Sequence, residues 1–210
     1  REQMGRPYED LVTYQDGLWH CLHPEFLADQ LERCCMRLSL DKLDVMLLHN
    51  PEYFLLDARQ KGQDLDAAQA EFDRRLEQAF AFLEELVKEG RIGYYGVSSN
   101  TFAGPADGFA TTSLARMLEL AKKVGGDEHH FAVVQVPLNL LETEAAEGFT
   151  AEAEAAGLGV LVNRPLNCFV QQTLVRLADF ESDEKPNFEA SLQAMSEAEN
   201  EYRETFGPFV

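Results

Sequence analysis

The stretch Leu-Asp-Val-Met-Leu-Leu-His-Asn, Leu43 to Asn50, decides how this chain is read. Its apolar run is too short for a helix in a domain of this size, and it has the composition of a strand buried on both faces. Pro51 ends the run, because proline has no amide donor and biases the residue before it away from helical backbone. His49 is thereby placed at the C-terminal end of a buried strand. In parallel α/β sheets and barrels that end carries the ligand.

Reading outward from this strand, the pattern repeats. A helical stripe of Phe72, Leu76, Ala79, Phe80, Leu83, Leu86 and Val87 predicts a helix from about Asp66 to Glu89, capped by Gly90. Residues 51–65 between strand and helix read as a long connection. Ile92 to Asn100 is a second short strand ending in Ser98, Ser99 and Asn100, followed by a Gly/Pro/Thr loop over 101–112. A helix over Ser113–Val124 leads to a third strand, Phe131–Val136, stopped by Pro137. An Ala/Glu-rich helix over 143–156 leads to a fourth, Gly159–Val162, which runs into Asn163-Arg164-Pro165. Upstream, His23-Pro24 opens a helix reaching about Leu38, and residues 1–19 read as a loop. Strands separated by helical crossovers return parallel, so all four C-terminal ends share one rim. Glu181 to Pro186 reads as a linker, and Phe188–Phe206 as an acidic amphipathic helix. The organisation expected is therefore 1–180 as one α/β unit and 181–210 as a linker and helical segment.

Composition narrows the function. The 210 residues carry 37 acidic against 18 basic side chains, a formal net charge of −19. That balance opposes nucleic acid and anionic membrane as partners, since both require basic surface. No apolar run approaches the roughly 20 residues that cross a bilayer. The four cysteines, Cys21, Cys34, Cys35 and Cys168, show no framework spacing and no CxxC pair, which fits a reducing cytoplasmic setting. The chain opens on Arg-Glu-Gln-Met-Gly-Arg, an opening expected of the interior of a longer protein.

The polar residues gathered at the rim are His49 and Asn50; Ser98, Ser99 and Asn100; Gln135 and Asn139; and Asn163, Arg164 and Asn167. Buried strands that each end in polar groups are costly unless those groups bind one another or a ligand. The amides and hydroxyls suit an amide- or hydroxyl-bearing ligand, Arg164 a phosphate or carboxylate, and His49 a proton or hydrogen bond. Neither a GxGxxG fingerprint, nor a P-loop, nor a Gly-x-Ser-x-Gly elbow occurs. His20, Cys21 and His23 fit no standard zinc spacing. Glu84-Glu85 read as solvated charge, and His129-His130 as solvated turn residues.

Leu-Leu-His-Asn-Pro at 47–51, Leu-Val-Lys-Glu-Gly-Arg-Ile at 86–92, Gly-Val-Ser-Ser-Asn at 96–100, Val-Val-Gln-Val at 133–136 and Arg-Pro-Leu-Asn at 164–167 resemble the aldo-keto reductases in order and separation. The resemblance covers about residues 20–170. It implies part of a (β/α)8 TIM barrel, here about four parallel strands matching the family's fourth to seventh, with flanking helices. It also implies an oxidoreductase that uses NADP(H) or NAD(H) to reduce a small-molecule carbonyl. By resemblance His49 orients the carbonyl, and Ser98, Ser99 and Gln135 hold the nicotinamide carboxamide. Asn163 stands where the family often stacks a tyrosine, and Arg164 and Leu166 match the turn at the pyrophosphate. The family's proton-donating tyrosine, with its lysine and aspartate, has no counterpart; Tyr53, Tyr94 and Tyr95 lie outside the donor motif. The expectation is a fragment that is inactive alone and exposes open sheet edges suited to self-association. The alternative is a non-catalytic half-barrel that dimerises for binding or scaffolding. An open doubly wound sheet is weaker still, because no early phosphate loop is present.

Overall fold

A computed structural model describes residues 7–15, 17–105, 108–170 and 173–177, together with Ala190, Gln193 and Glu197. The chain divides into two compact units, Arg1–Cys168 and Phe169–Val210. The expected linker and acidic helix beyond residue 180 lie outside the described residues, apart from those three isolated positions.

The first unit opens with an antiparallel pair, β1 (Val12–Gln15) and β2 (Leu18–His20), where the sequence reading expected a loop. Gly17, at φ 75°, makes the turn between them. Helix α1 (Pro24–Leu38) starts as expected: Pro24 fills the first turn, and the His23 ring accepts from the Glu25 amide at 3.3 Å. Strand β3 (Leu43–His49) follows. The connection after it holds a further helix, α2 (Tyr53–Gln60), with Phe54, Leu55 and Ala58 buried at helical spacing. Helix α3 (Leu65–Lys88) is capped by Asp64, whose carboxylate accepts from the Ala67 amide at 3.2 Å. Its stripe Phe72, Leu76, Ala79, Phe80 and Leu83 is buried as the pattern predicts.

Strand β4 (Ile92–Ser98), helix α4 (Leu114–Gly125) and strand β5 (Phe131–Pro137) complete the first two crossovers. The single helix expected over 143–156 is two pieces, a 3-10 turn at Glu144–Glu147 and α5 (Phe149–Ala155), separated by Gly148. Strand β6 (Gly159–Asn163) closes the series. Strands β7 (Asn167–Val170) and β8 (Thr173–Arg176) form a separate two-stranded sheet.

The central sheet has the order β3-β4-β5-β6, every neighbour parallel. Strand order therefore equals chain order, as in a closing barrel wall rather than a doubly wound sheet. At Gly96 strand β4 leaves no room for a side chain against β5: a Cβ there would lie 1.8 Å from the Val133 carbonyl oxygen. The core lies between the helices and one face of the sheet, where Phe80, Tyr95 and Phe131 pack ring against ring. The expectation of burial on both faces is corrected here. In β3, Met46 and Leu48 are buried, whereas Asp44, Val45 and His49 are exposed. On the open face, which carries Val45 and His49, Tyr94 is 52% and Leu161 46% exposed. The helices cover one face, and on the other Val45, Tyr94 and Leu161 are exposed.

Candidate functional site

Register places the sequence candidates on common rungs. His49 pairs with Ser98, Ser98 with Gln135, and Gln135 with Leu161. Residues level with one another in parallel strands point to the same face, and the strands lie about 4.8 Å apart. His49, Ser98 and Gln135 thus span roughly 10 Å along one row at the strand ends. Asn163 is level with Pro137, two positions further along the same face.

Within the row, the Ser98 hydroxyl donates to Gln135 Oε1 at 2.9 Å. That bond fixes the glutamine amide and leaves its NH2 group as a donor, while the serine oxygen keeps lone pairs to accept. Asn163 Oδ1 is buried with no hydrogen-bond partner among the described residues. The His49 carbonyl accepts from His20 Nε2 at 2.9 Å, so His20 carries its proton on that nitrogen. Burial pushes the His20 pKa down to about 4, outweighing the raising effect of that bond. His20 meets Tyr53 edge-on, and Tyr53 stacks on Tyr14 with centroids 5.2 Å apart. The β1–β2 pair thereby flanks His49.

Ser99 goes elsewhere. Its side chain is fully buried, and its hydroxyl forms a triangle with Thr101 (3.1 Å) and Thr112 (2.9 Å), which bond each other at 3.0 Å. Strand alternation puts it on the face opposite Ser98. Its backbone still contributes, since the Ser99 amide donates to the Gln135 carbonyl at 3.1 Å.

A chain of polar contacts joins the four strand ends. Buried Glu52 accepts from the Asn100 amide at 3.0 Å, and burial raises its carboxyl pKa. The Asn100 side chain donates to Asn50 Oδ1 at 3.1 Å and accepts from Arg164 at 3.1 Å. Arg164 also donates to Glu142 at 2.8 Å, and Glu142 accepts from Asn139 Nδ2 at 2.6 Å. Asn139 further donates to the Asn167 carbonyl at 2.9 Å. Both Asn50 (φ 49°) and Arg164 (φ 54°) hold left-handed backbone, where a non-glycine residue is uncommon. Leu166 is 48% exposed beside this chain.

Glu52, Glu142 and His20 are the members that the sequence did not announce. Glu52 meets Asn100 across 48 positions, and Glu142 meets Arg164 across 22, so no local spacing marks either pair. Two expectations away from the rim are also corrected. Glu84 is not solvated but buried, and it accepts from Tyr95 Oη (3.0 Å) and the His130 amide (2.8 Å) while contacting the His130 ring (2.8 Å). Burial favours its protonated form, yet these contacts together hold its pKa below the ordinary carboxylate value. His130 is correspondingly a partner of Glu84 rather than a free turn residue. All four cysteines are free thiols, and among the described residues no group of three or more His, Cys, Asp or Glu could hold a metal. No helix among them is long and apolar enough to cross a membrane.

Successive strand–helix units whose four parallel strands run in chain order define an α/β domain of the partial-barrel type. The chain belongs to the aldo/keto reductase family, whose model matches residues 13–206. It is 29% identical over 122 residues to an uncharacterised oxidoreductase of Schizosaccharomyces pombe, a match covering 58% of this chain and 35% of that protein. Among solved structures it is similar to a glycerol dehydrogenase from Gluconobacter oxydans, with 21% identity and a TM-score of 0.47, over 93% of this chain and 53% of that one. It is also similar to an aldo-keto reductase structure from Pseudomonas aeruginosa, with 20% identity and a TM-score of 0.42, over 70% and 44% of the respective chains. The chain thus spans about half the length, or less, of these proteins.

Proposed function

We propose that the row at the strand ends is the nicotinamide end of an NAD(P)H-dependent oxidoreductase site acting on a small-molecule carbonyl. What supports this is the common rung of His49, Ser98 and Gln135 in a chain of the aldo/keto reductase family. The donor set fits a carboxamide. The Gln135 NH2 group suits its oxygen, and Ser98 Oγ and Asn163 Oδ1, which has no partner among the described residues, suit its NH2. Ser99 contributes through its backbone and through the hydroxyl triangle that holds the loop after β4. Arg164 and Leu166 face the pyrophosphate, with Asn100 aiming the guanidinium. The bound dinucleotide supplies hydride. His49, exposed at the end of its strand, orients the carbonyl oxygen by a hydrogen bond from its ring. No tyrosine here lies in the family's donor motif, so the 210 residues alone are expected to give little or no turnover.

Titration of NADPH fluorescence tests the reading without needing turnover. The chain should bind the cofactor, and Gln135→Leu should weaken binding at least about tenfold, the scale of one lost amide pairing. Equal binding by both proteins, or binding by neither, would refute the site.

The second reading is a non-catalytic half-barrel that self-associates. It is favoured by the uncovered sheet face bearing Val45, Tyr94 and Leu161.

A further inference from the structure

Arg164 is held as a receptor for an anion before any ligand is considered. Its backbone is fixed in the left-handed region at φ 54°, and one guanidinium nitrogen donates to Asn100 at 3.1 Å. The other terminal nitrogen donates to Glu142 at 2.8 Å, and both side chains of this ion pair are only 22% exposed. Glu142 is itself locked. Asn139 Oδ1 accepts from the Leu141 amide (2.9 Å) and the Glu142 amide (3.0 Å), and Asn139 Nδ2 donates to the Glu142 carboxylate at 2.6 Å. Asn139 thus holds both the backbone and the carboxylate of Glu142 beside Arg164.

Resting on the cofactor reading above, we infer that Glu142 is an internal stand-in for the ligand's anionic group. It occupies Arg164 in the free chain, and an incoming pyrophosphate must displace it. A monocarboxylate ligand offers Arg164 no more charge than Glu142 already supplies and gains nothing by exchange. A pyrophosphate brings more charge and more acceptor oxygens, and displaces it. Glu142 therefore sets the threshold of charge that the rim accepts, at the expense of affinity for every anion.

The test is calorimetric titration of the 210-residue chain with inorganic pyrophosphate, and separately with NADPH. Glu142→Gln keeps the shape and removes the charge, and should tighten pyrophosphate binding about tenfold. Adding Arg164→Gln should abolish that gain. Glu142→Ala is the second variant and should tighten binding in the same direction. Pyrophosphate affinity unchanged or weakened in both Glu142 variants would overturn the inference. So would the absence of pyrophosphate binding in any form. Loss of cooperative melting in both variants would also overturn it, because a displaceable latch cannot be indispensable to the fold. NADPH failing to bind any form while pyrophosphate tightens in Glu142→Gln would sink the cofactor reading alone. NADPH and pyrophosphate each binding equally to wild type and Glu142→Gln would sink the latch alone.

Discussion

His20 shows how a residue outside the recognised motifs governs one corner of the site. Its pKa falls from 6.5 to about 4 because it is buried, with His49 and Arg75 adding to the effect. Between those values the unfolded chain takes up a proton that the folded chain refuses. Stability therefore falls as pH drops from 6.5 towards 4, with the loss complete below that. Urea melts at pH 7 and pH 4.5 should show a loss roughly 2 kcal/mol larger for wild type than for His20→Gln, which can keep the bond to the His49 carbonyl. Equal losses in the two proteins would contradict this. Trp19, the sole tryptophan, lies next to His20 and offers a local optical readout. At this scale the sequence was uneven. His49 and Ser98 stood out because an apolar run ends on each, and Gln135 because it is the one polar residue within Phe131–Val136. Ser99 lies on the face opposite Ser98, as the two-residue period of a strand already sets it. Glu52 and Glu142 gave no signal, since Asn100 and Arg164, which they meet at the rim, are distant in the chain.

Among the elements, the close approach of β4 and β5 is the sharpest constraint. A methyl on Gly96 would meet the Val133 carbonyl oxygen at 1.8 Å and Leu47 Cδ2 at 2.9 Å. Backbone cannot yield as a flexible side chain can, so Gly96→Ala should cost more than about 3 kcal/mol or prevent cooperative folding. Gly159→Ala is the matched control, because its new methyl would find nothing nearer than 3.7 Å. Circular-dichroism melts that rank the two alike would contradict the register. The elements themselves were largely legible, because Pro51 and Pro137 mark strand ends and Gly90 marks a helix end. Helix α2 was hidden by its brevity: Phe54, Leu55 and Ala58 make barely more than one turn of pattern. The β1–β2 pair was hidden for the same reason, having four and three residues.

For the whole molecule, an uncovered sheet face and a formal charge of −19 act against each other. Apolar Val45, Tyr94 and Leu161 and the outer edges of β3 and β6 favour association. Like charge opposes it, and salt screens charge but not apolar contact. Light scattering should therefore report a mass that rises between about 20 mM and about 500 mM salt. A chain carrying both Val45→Lys and Leu161→Lys should show little rise. A mass that stays monomeric at every salt in wild type would remove the second reading of the function. The edges themselves differ in how they are secured. Among the described residues strand β6 has a ladder on one side alone, yet Arg164 just beyond it reaches Asn100, past β4, and Glu142, past β5. A tug on the chain from beyond β6 thus loads a guanidinium clasp before it loads the backbone ladder. Tension on this outermost strand is shared with its inner neighbours, and peeling from that end must begin with a side chain letting go.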